Sequence, residues 1–150
     1  MYPLLLVVHS LLRWVVLAAG AAAFVRSAAG RGRSWGPADD KAGLWFVMAV
    51  DLQLLLGLVL YVISPMSEIA FSDFGAAMSN SVLRFWAVEH VVGMVIAIAL
   101  VHVGRVRIRK ANPARRHRLA MIFYGLALVV IAASVPWPGT PAARPLFRGL

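Results

Sequence analysis

At 150 residues, with 61% apolar and only 14% charged side chains and a mean hydropathy of +0.81, the chain is too apolar for a water-soluble domain, where about 25% charged residues is usual. Its formal charge of +9 would suit nucleic acid, but the basic residues gather in short connecting segments rather than on a soluble face, so nucleic acid is excluded as a partner. There is no Cys, which excludes disulfides, thiolate metal sites, Fe–S clusters and haem attached through Cys-x-x-Cys-His.

A bilayer core about 30 Å thick needs roughly 20 consecutive apolar residues. Residues 3–25 form the first such run. Ala21, Ala22 and Ala23 imitate a signal-peptide cleavage site, but no basic residue precedes the run, and His9 and Arg13 interrupt it, so it reads as a retained span. Gly30, Gly32, Gly36 and Pro37 break the chain after it, among Arg26, Arg31, Arg33 and Lys41.

The second run, residues 44–63, carries Asp51 and Gln53. These lie about 200° apart on a helix, with Gly57 and Tyr61 continuing the Gln53 face. Both cannot enter one narrow bundle core, so one of them is expected to face another subunit or a second copy. The next connection has Ser64, Pro65, Glu68 and Asp73 but no Lys or Arg. The spacing of Ala70, Phe74, Ala77 and Met78 predicts a short interfacial helix there, with a plain loop as the alternative.

The third run, residues 82–103, opens on Arg84, Trp86, Glu89 and His90 and continues through Gly93. Asn112 and Pro113 end it within a dense basic stretch of Arg105, Arg107, Arg109, Lys110, Arg115, Arg116 and Arg118. A fourth run, residues 119–135, leads into a Pro-rich tail, 136–150, expected to be an extended outer segment available to a partner.

The predicted fold is therefore all-α: a single polytopic domain of four transmembrane helices in an up-down bundle, since short connections place neighbours antiparallel. Basic first and third connections beside an acidic second one place both termini outside, in a bacterial inner membrane.

Counting 1.5 Å per residue, His9 and His90 lie about 9–12 Å below the outer boundary, Arg13 about 15 Å and Asp51 about 18 Å. A charge at the bilayer centre costs roughly 2.5–3.5 kcal/mol on insertion scales, so such residues imply a partner or a function. Arg13 and Asp51 are close enough in depth to predict an ion pair. Each histidine overlooks small residues on its own face: Gly20 for His9, Gly93 and Ala97 for His90. Small residues serve close helix packing; they would also leave room for a flat macrocycle.

Two histidines at matched depth on parallel helices suit the axial positions of one haem b in the outer half. Arg13 or Arg84 would then neutralise a propionate, Glu89 or Asp51 would orient an imidazole, and Trp14, Phe85, Trp86 and Tyr124 would wall the pocket. The alternative is a structural network in which the polar layer acts as helix glue in a non-catalytic accessory subunit. A bare metal ion on His9, Asp51, Glu89 and His90 is disfavoured, because Glu89 and His90 diverge by about 100°; Glu-x-x-His and His-Glu-x-x-His are both absent. His102 and His117 do not require a second haem; His117, within Arg115-Arg116-His117-Arg118, reads as a solvated surface histidine. Ser10, Ser64 and Ser134 lack an activating base, and no phosphate loop is present.

His9-Ser10-Leu11-Leu12-Arg13-Trp14, Asp51-Leu52-Gln53 through Gly57 and Tyr61, Arg84-Phe85-Trp86 with Glu89-His90, and the closing Pro136-Trp137-Pro138-Gly139 and Arg144-Pro145-Leu146-Phe147 together resemble small four-helix bacterial membrane proteins of the cytochrome b or b561-like type. The resemblance runs over nearly the whole chain. It implies haem b, membrane electron transfer with a quinone or periplasmic carrier, and His9 and His90 as ligands.

Overall fold

The computed structural model describes residues 1–147. Among them there is no strand, and four helices are long and apolar enough to cross a membrane. Helix α1, Tyr2–Ala29, is the first span, and α2, Pro37–Ile63, is the second. The short helices α3, Pro65–Ser72, and α4, Phe74–Ser79, come next. The third span is a continuous helix of 30 residues, composed of α5, Ser81–Arg84, a π turn, Phe85–Glu89, and α6, His90–Lys110. Helix α7, Pro113–Ser134, is the fourth span.

Capping residues set most of these ends. Pro37, Pro65 and Pro113 stand in first turns, where a missing N–H costs nothing. The side chains of Ser64, Asp73, Asn80 and Asn112 accept from the N–H groups of Met66, Ala76, Val82 and Ala114, satisfying donors that a helix start leaves free. The second and third spans accordingly begin earlier or end later than their apolar runs. The expected interfacial helix is two short helices, broken at Asp73.

The first and second spans pack closely, as do the third and fourth and the first and fourth; the second and third meet more loosely. The four form a ring in which the first span faces the third across a diagonal. Contacts between neighbours run in opposite directions along the two helices. His9 meets Gln53 while Arg26 meets Asp39; Asp40 meets Arg105 while Tyr61 meets Ala87. Gly20 marks a close approach, since a Cβ there would lie 2.8 Å from both Phe46 and Leu128. Phe46, Val101, Ile108 and Tyr124 fill the core, concentrated toward the end bearing the basic connections. Outward positions such as Val15, Trp45, Leu55, Val92 and Val129 are apolar and exposed, as a lipid-facing surface requires.

At the basic end, Asp39 is buried and takes two 2.6 Å bonds from Arg33 and a third from Arg26 at 3.2 Å. Arg105 holds Asp40 through two bonds of 2.7 Å. The expectation of a solvated His117 is overturned here. The imidazole is 4% exposed, its ring 4.9 Å from that of Trp35. Gly30 makes the room, for a Cβ at that position would overlap the imidazole.

The tail is corrected as well: it folds back onto its own bundle. The Leu146 carbonyl accepts from Arg13 Nη2 at 2.8 Å and from Trp14 Nε1 at 3.1 Å. Phe147 stacks on Trp14 at 5.5 Å, and Trp137 Nε1 donates to the Ala132 carbonyl. Residues 148–150 of that expected outer segment lie outside the described residues.

Candidate functional site: a cavity between two histidines

At the end opposite the basic connections, the bundle holds a partly open cavity of about 170 Å³. Its wall is mostly apolar, with His9, Arg13, Gln53, Tyr61, His90 and Arg144 converging on it. It reaches the seam between the second and third spans, where lining residues Leu58 and Val95 are exposed. The looser packing of those two spans is what leaves the space.

His9 and His90 face each other across the diagonal, ring centroids 6.5 Å apart and planes at 73°. Metal–imidazole bonds of about 2 Å on opposite sides of one metal would give a similar centroid separation. His90 Nδ1 lies 2.8 Å from the Ser134 carbonyl, to which it donates, leaving Nε2 as the lone-pair nitrogen. A backbone carbonyl on the far nitrogen is the usual way a ligating histidine is oriented. Gly93 permits this contact, since a Cβ there would overlap Ser134.

His9 is held from the second span. Gln53 Nε2 donates to the His9 carbonyl at 3.1 Å and to His9 Nε2 at 3.2 Å. That bond places the imidazole proton on Nδ1, which is buried without a partner, as is Gln53 Oε1. Gly57, one turn along, would bring a Cβ to 3.3 Å from His9 Cε1; its bare backbone lets the ring lie against α2.

Arg13 is 8% exposed, and its hydrogen-bond partners are neutral: the Leu146 carbonyl and Ser10 Oγ. Its Nε is buried without a partner. Arg144 lies over the Trp86 ring at 4.9 Å. No Asp or Glu lines the cavity among the described residues. Two cations thus border an apolar space that supplies no counter-ion, and an uncompensated buried charge is costly. The arrangement is chemically suited to a ligand carrying acidic groups.

The expected ion pair of Arg13 with Asp51 does not form. Asp51 Oδ1 instead meets His102 Nε2 at 2.7 Å, with both side chains nearly half exposed on the outer seam of the second and third spans. Opposite faces of α2 cause this: Gln53 turns inward to His9, and Asp51 turns outward.

Of the other sequence-derived candidates, Trp86 lines the cavity, whereas Arg84, Glu89 and Gly93 do not. Arg84 bonds Glu89 at 2.6 Å and the Met78 carbonyl at 2.9 Å, tying α4 to the π turn. Phe85 lies 5.8 Å from His90 by ring centroids; Trp14 packs on the tail, and Tyr124 belongs to the core. Sequence reasoning assigned no cavity role to Gln53, Tyr61, Ser134, Arg144 or Leu146. The Gln53–Gly57–Tyr61 stripe was the available signal for two of them. No group of three or more His, Asp or Glu side chains able to hold a bare metal ion occurs among the described residues. Comparison with known protein families, curated proteins and solved structures finds no match to this chain.

Proposed function

We propose that this chain is a bacterial inner-membrane protein, an up-down bundle with both termini outside, that holds one haem b between His9 and His90. It exchanges electrons near the outer face, with quinol or a periplasmic carrier as partner. The observation that carries this reading is the facing pair of imidazoles, one already oriented through its distal nitrogen by the Ser134 carbonyl. Ligand type, spacing and charge fit. The cavity's 170 Å³ is smaller than the roughly 300–1,000 Å³ of pockets that hold a whole ligand, so a macrocycle needs the loosely packed second and third spans to part. Bound haem would supply a one-electron couple whose potential depends on axial ligation and burial.

The chain's own residues have assignable tasks. Ser134 fixes the His90 ring. Gln53 anchors the His9 backbone, and His9 Nε2, which its amide now contacts, is the nitrogen that would hold the group. Arg13 and Arg144 would neutralise acidic side groups of a bound macrocycle, while Trp86 shields Arg144. The test is an absorption spectrum of the full chain, purified in mild detergent with haem supplied. A Soret band and a reduced α-band, lost in His9→Ala and His90→Ala, are expected; a colourless protein overturns the reading.

A second reading has its own observation in favour. The His9–Gln53 and His90–Ser134 bonds each join two different spans without any ligand, as expected of an accessory subunit whose polar layer is helix glue. In that case His9→Gln leaves assembly intact and no chromophore is lost.

A further inference from the structure

Asp51 stands near the middle of the second span, about 21 Å from Pro37 and about 18 Å from Ile63 by helical rise. Its pairing with His102 brings that histidine to the same depth. Both side chains are nearly half exposed toward what would be lipid, at 44% and 47%. Ionisable groups within a membrane almost always face a bundle interior, a water-filled cavity or each other; this pair does the last while its outer edge stays open. The bond uses only Asp51 Oδ1 and His102 Nε2, and among the described residues neither Asp51 Oδ2 nor His102 Nδ1 has a hydrogen-bond partner.

We propose that this seam is a two-fold interface with a second copy of the chain. The pair presents an acceptor and a donor side by side at one depth, on neighbouring helices. Rotation by 180° about an axis parallel to those helices sets His102 of the second copy opposite Asp51, and Asp51 of the second copy opposite His102. The two free Nδ1–H groups then meet the two free Oδ2 atoms in a closed cycle of four hydrogen bonds. Such a patch is self-complementary, as an isologous interface requires, whereas an unrelated partner would have to carry the same two groups in the opposite order. The flanking surface is apolar: Leu52, Leu55 and Leu58 on one helix, Val95, Val103 and Val106 on the other, all exposed. Leu58 comes seven residues after Asp51 and Val95 seven before His102, nearly the same faces, and both line the cavity. The second copy therefore also covers the cavity's lateral opening.

This interface is independent of haem, and its test is read without a chromophore. Because the chain has no Cys, single cysteines report contacts cleanly. With the full chain in phospholipid vesicles, Leu55→Cys should cross-link to a homodimer on oxidation. Val129→Cys, on the fourth span and 66% exposed, should not. Photobleaching of dye-labelled protein should count two copies. Adding Asp51→Leu or His102→Leu should abolish the Leu55→Cys cross-link, and the exchange Asp51→His with His102→Asp should restore it, which separates interface loss from misfolding. A protein that remains monomeric at high protein-to-lipid ratio overturns the proposal. So does equal cross-linking at Val129→Cys, or a Leu55→Cys product in native membranes that contains a different protein.

Discussion

Arg13 and Leu146 are 133 positions apart, yet the Arg13 guanidinium donates a 2.8 Å hydrogen bond to the Leu146 carbonyl. The last described residues are thereby part of the bundle: the same carbonyl also takes the Trp14 indole N–H, and Phe147 closes over that ring.

Removing residues 144–150 should leave Arg13 buried without its carbonyl acceptor. Hydrogen bonds to charged groups are worth about 1.5–3 kcal/mol, and a loss of that order is expected in thermal or denaturant unfolding in detergent. Arg13→Leu should cost far less in the truncated chain than in the full one. Equal cost in both backgrounds would show that the tail contact is idle.

Arg13→Leu and Asp51→Leu should be additive to within about 0.3–0.5 kcal/mol, because the two residues share no partner. Recovery of stability in the double variant would mean that they pair after all. The unfolding midpoints of the four chains decide it.

Gly93→Ala should destabilise by about 1–3 kcal/mol, because its Cβ would overlap Ser134 Oγ and come within 2.9 Å of Ser134 Cβ. If haem binds as proposed, the displaced Ser134 carbonyl should also shift its reduction potential. Gly57→Ala, with its nearest neighbour at 3.3 Å, should be milder. Redox titration beside a melting curve separates the two glycines; equal effects would refute the assignment.

Gln53→Leu removes two hydrogen bonds from His9 together with an acceptor, Oε1, that has no partner. The expected cost is about 1–2 kcal/mol of stability; under the haem proposal a Soret band should persist, since His9 Nε2 is freed. Loss of the Soret band in this variant alone would make Gln53 indispensable for positioning.

Four spans were legible because hydropathy reports directly on the solvent a helix can tolerate. The matched depth of His9 and His90 came from counting residues, and the conflict between Asp51 and Gln53 came from helical phase. The partner of Arg13 was not legible. A buried arginine invites a search for an acidic side chain, and a backbone carbonyl in a distant tail carries no signature. His117 sat within a run of arginines that reads as solvated; the space that buries it is made by Gly30, just beyond the end of the first span. The pairing of Arg84 with Glu89 depends on a π turn that no periodicity announced.

That π turn, Phe85–Glu89, acts as a phase adjuster. It amounts to one residue inserted into a continuous helix, a device common at functional sites. Each inserted residue rotates the helix on its N-terminal side by about 100° relative to the helix on its C-terminal side. The N-terminal part of the third span, from Ser81, is therefore indexed separately from His90 and everything beyond it. Trp86 and Ala87 fall on the dividing line: one lines the cavity, and the carbonyl of the other is clasped by Tyr61 at 2.7 Å. Deleting a single residue here would knit the span into an uninterrupted α-helix. The histidine would stay where it is, while Trp86 and the two short helices ahead of it would be turned as one piece, so the aromatic wall and the histidine can be positioned independently along the same rod.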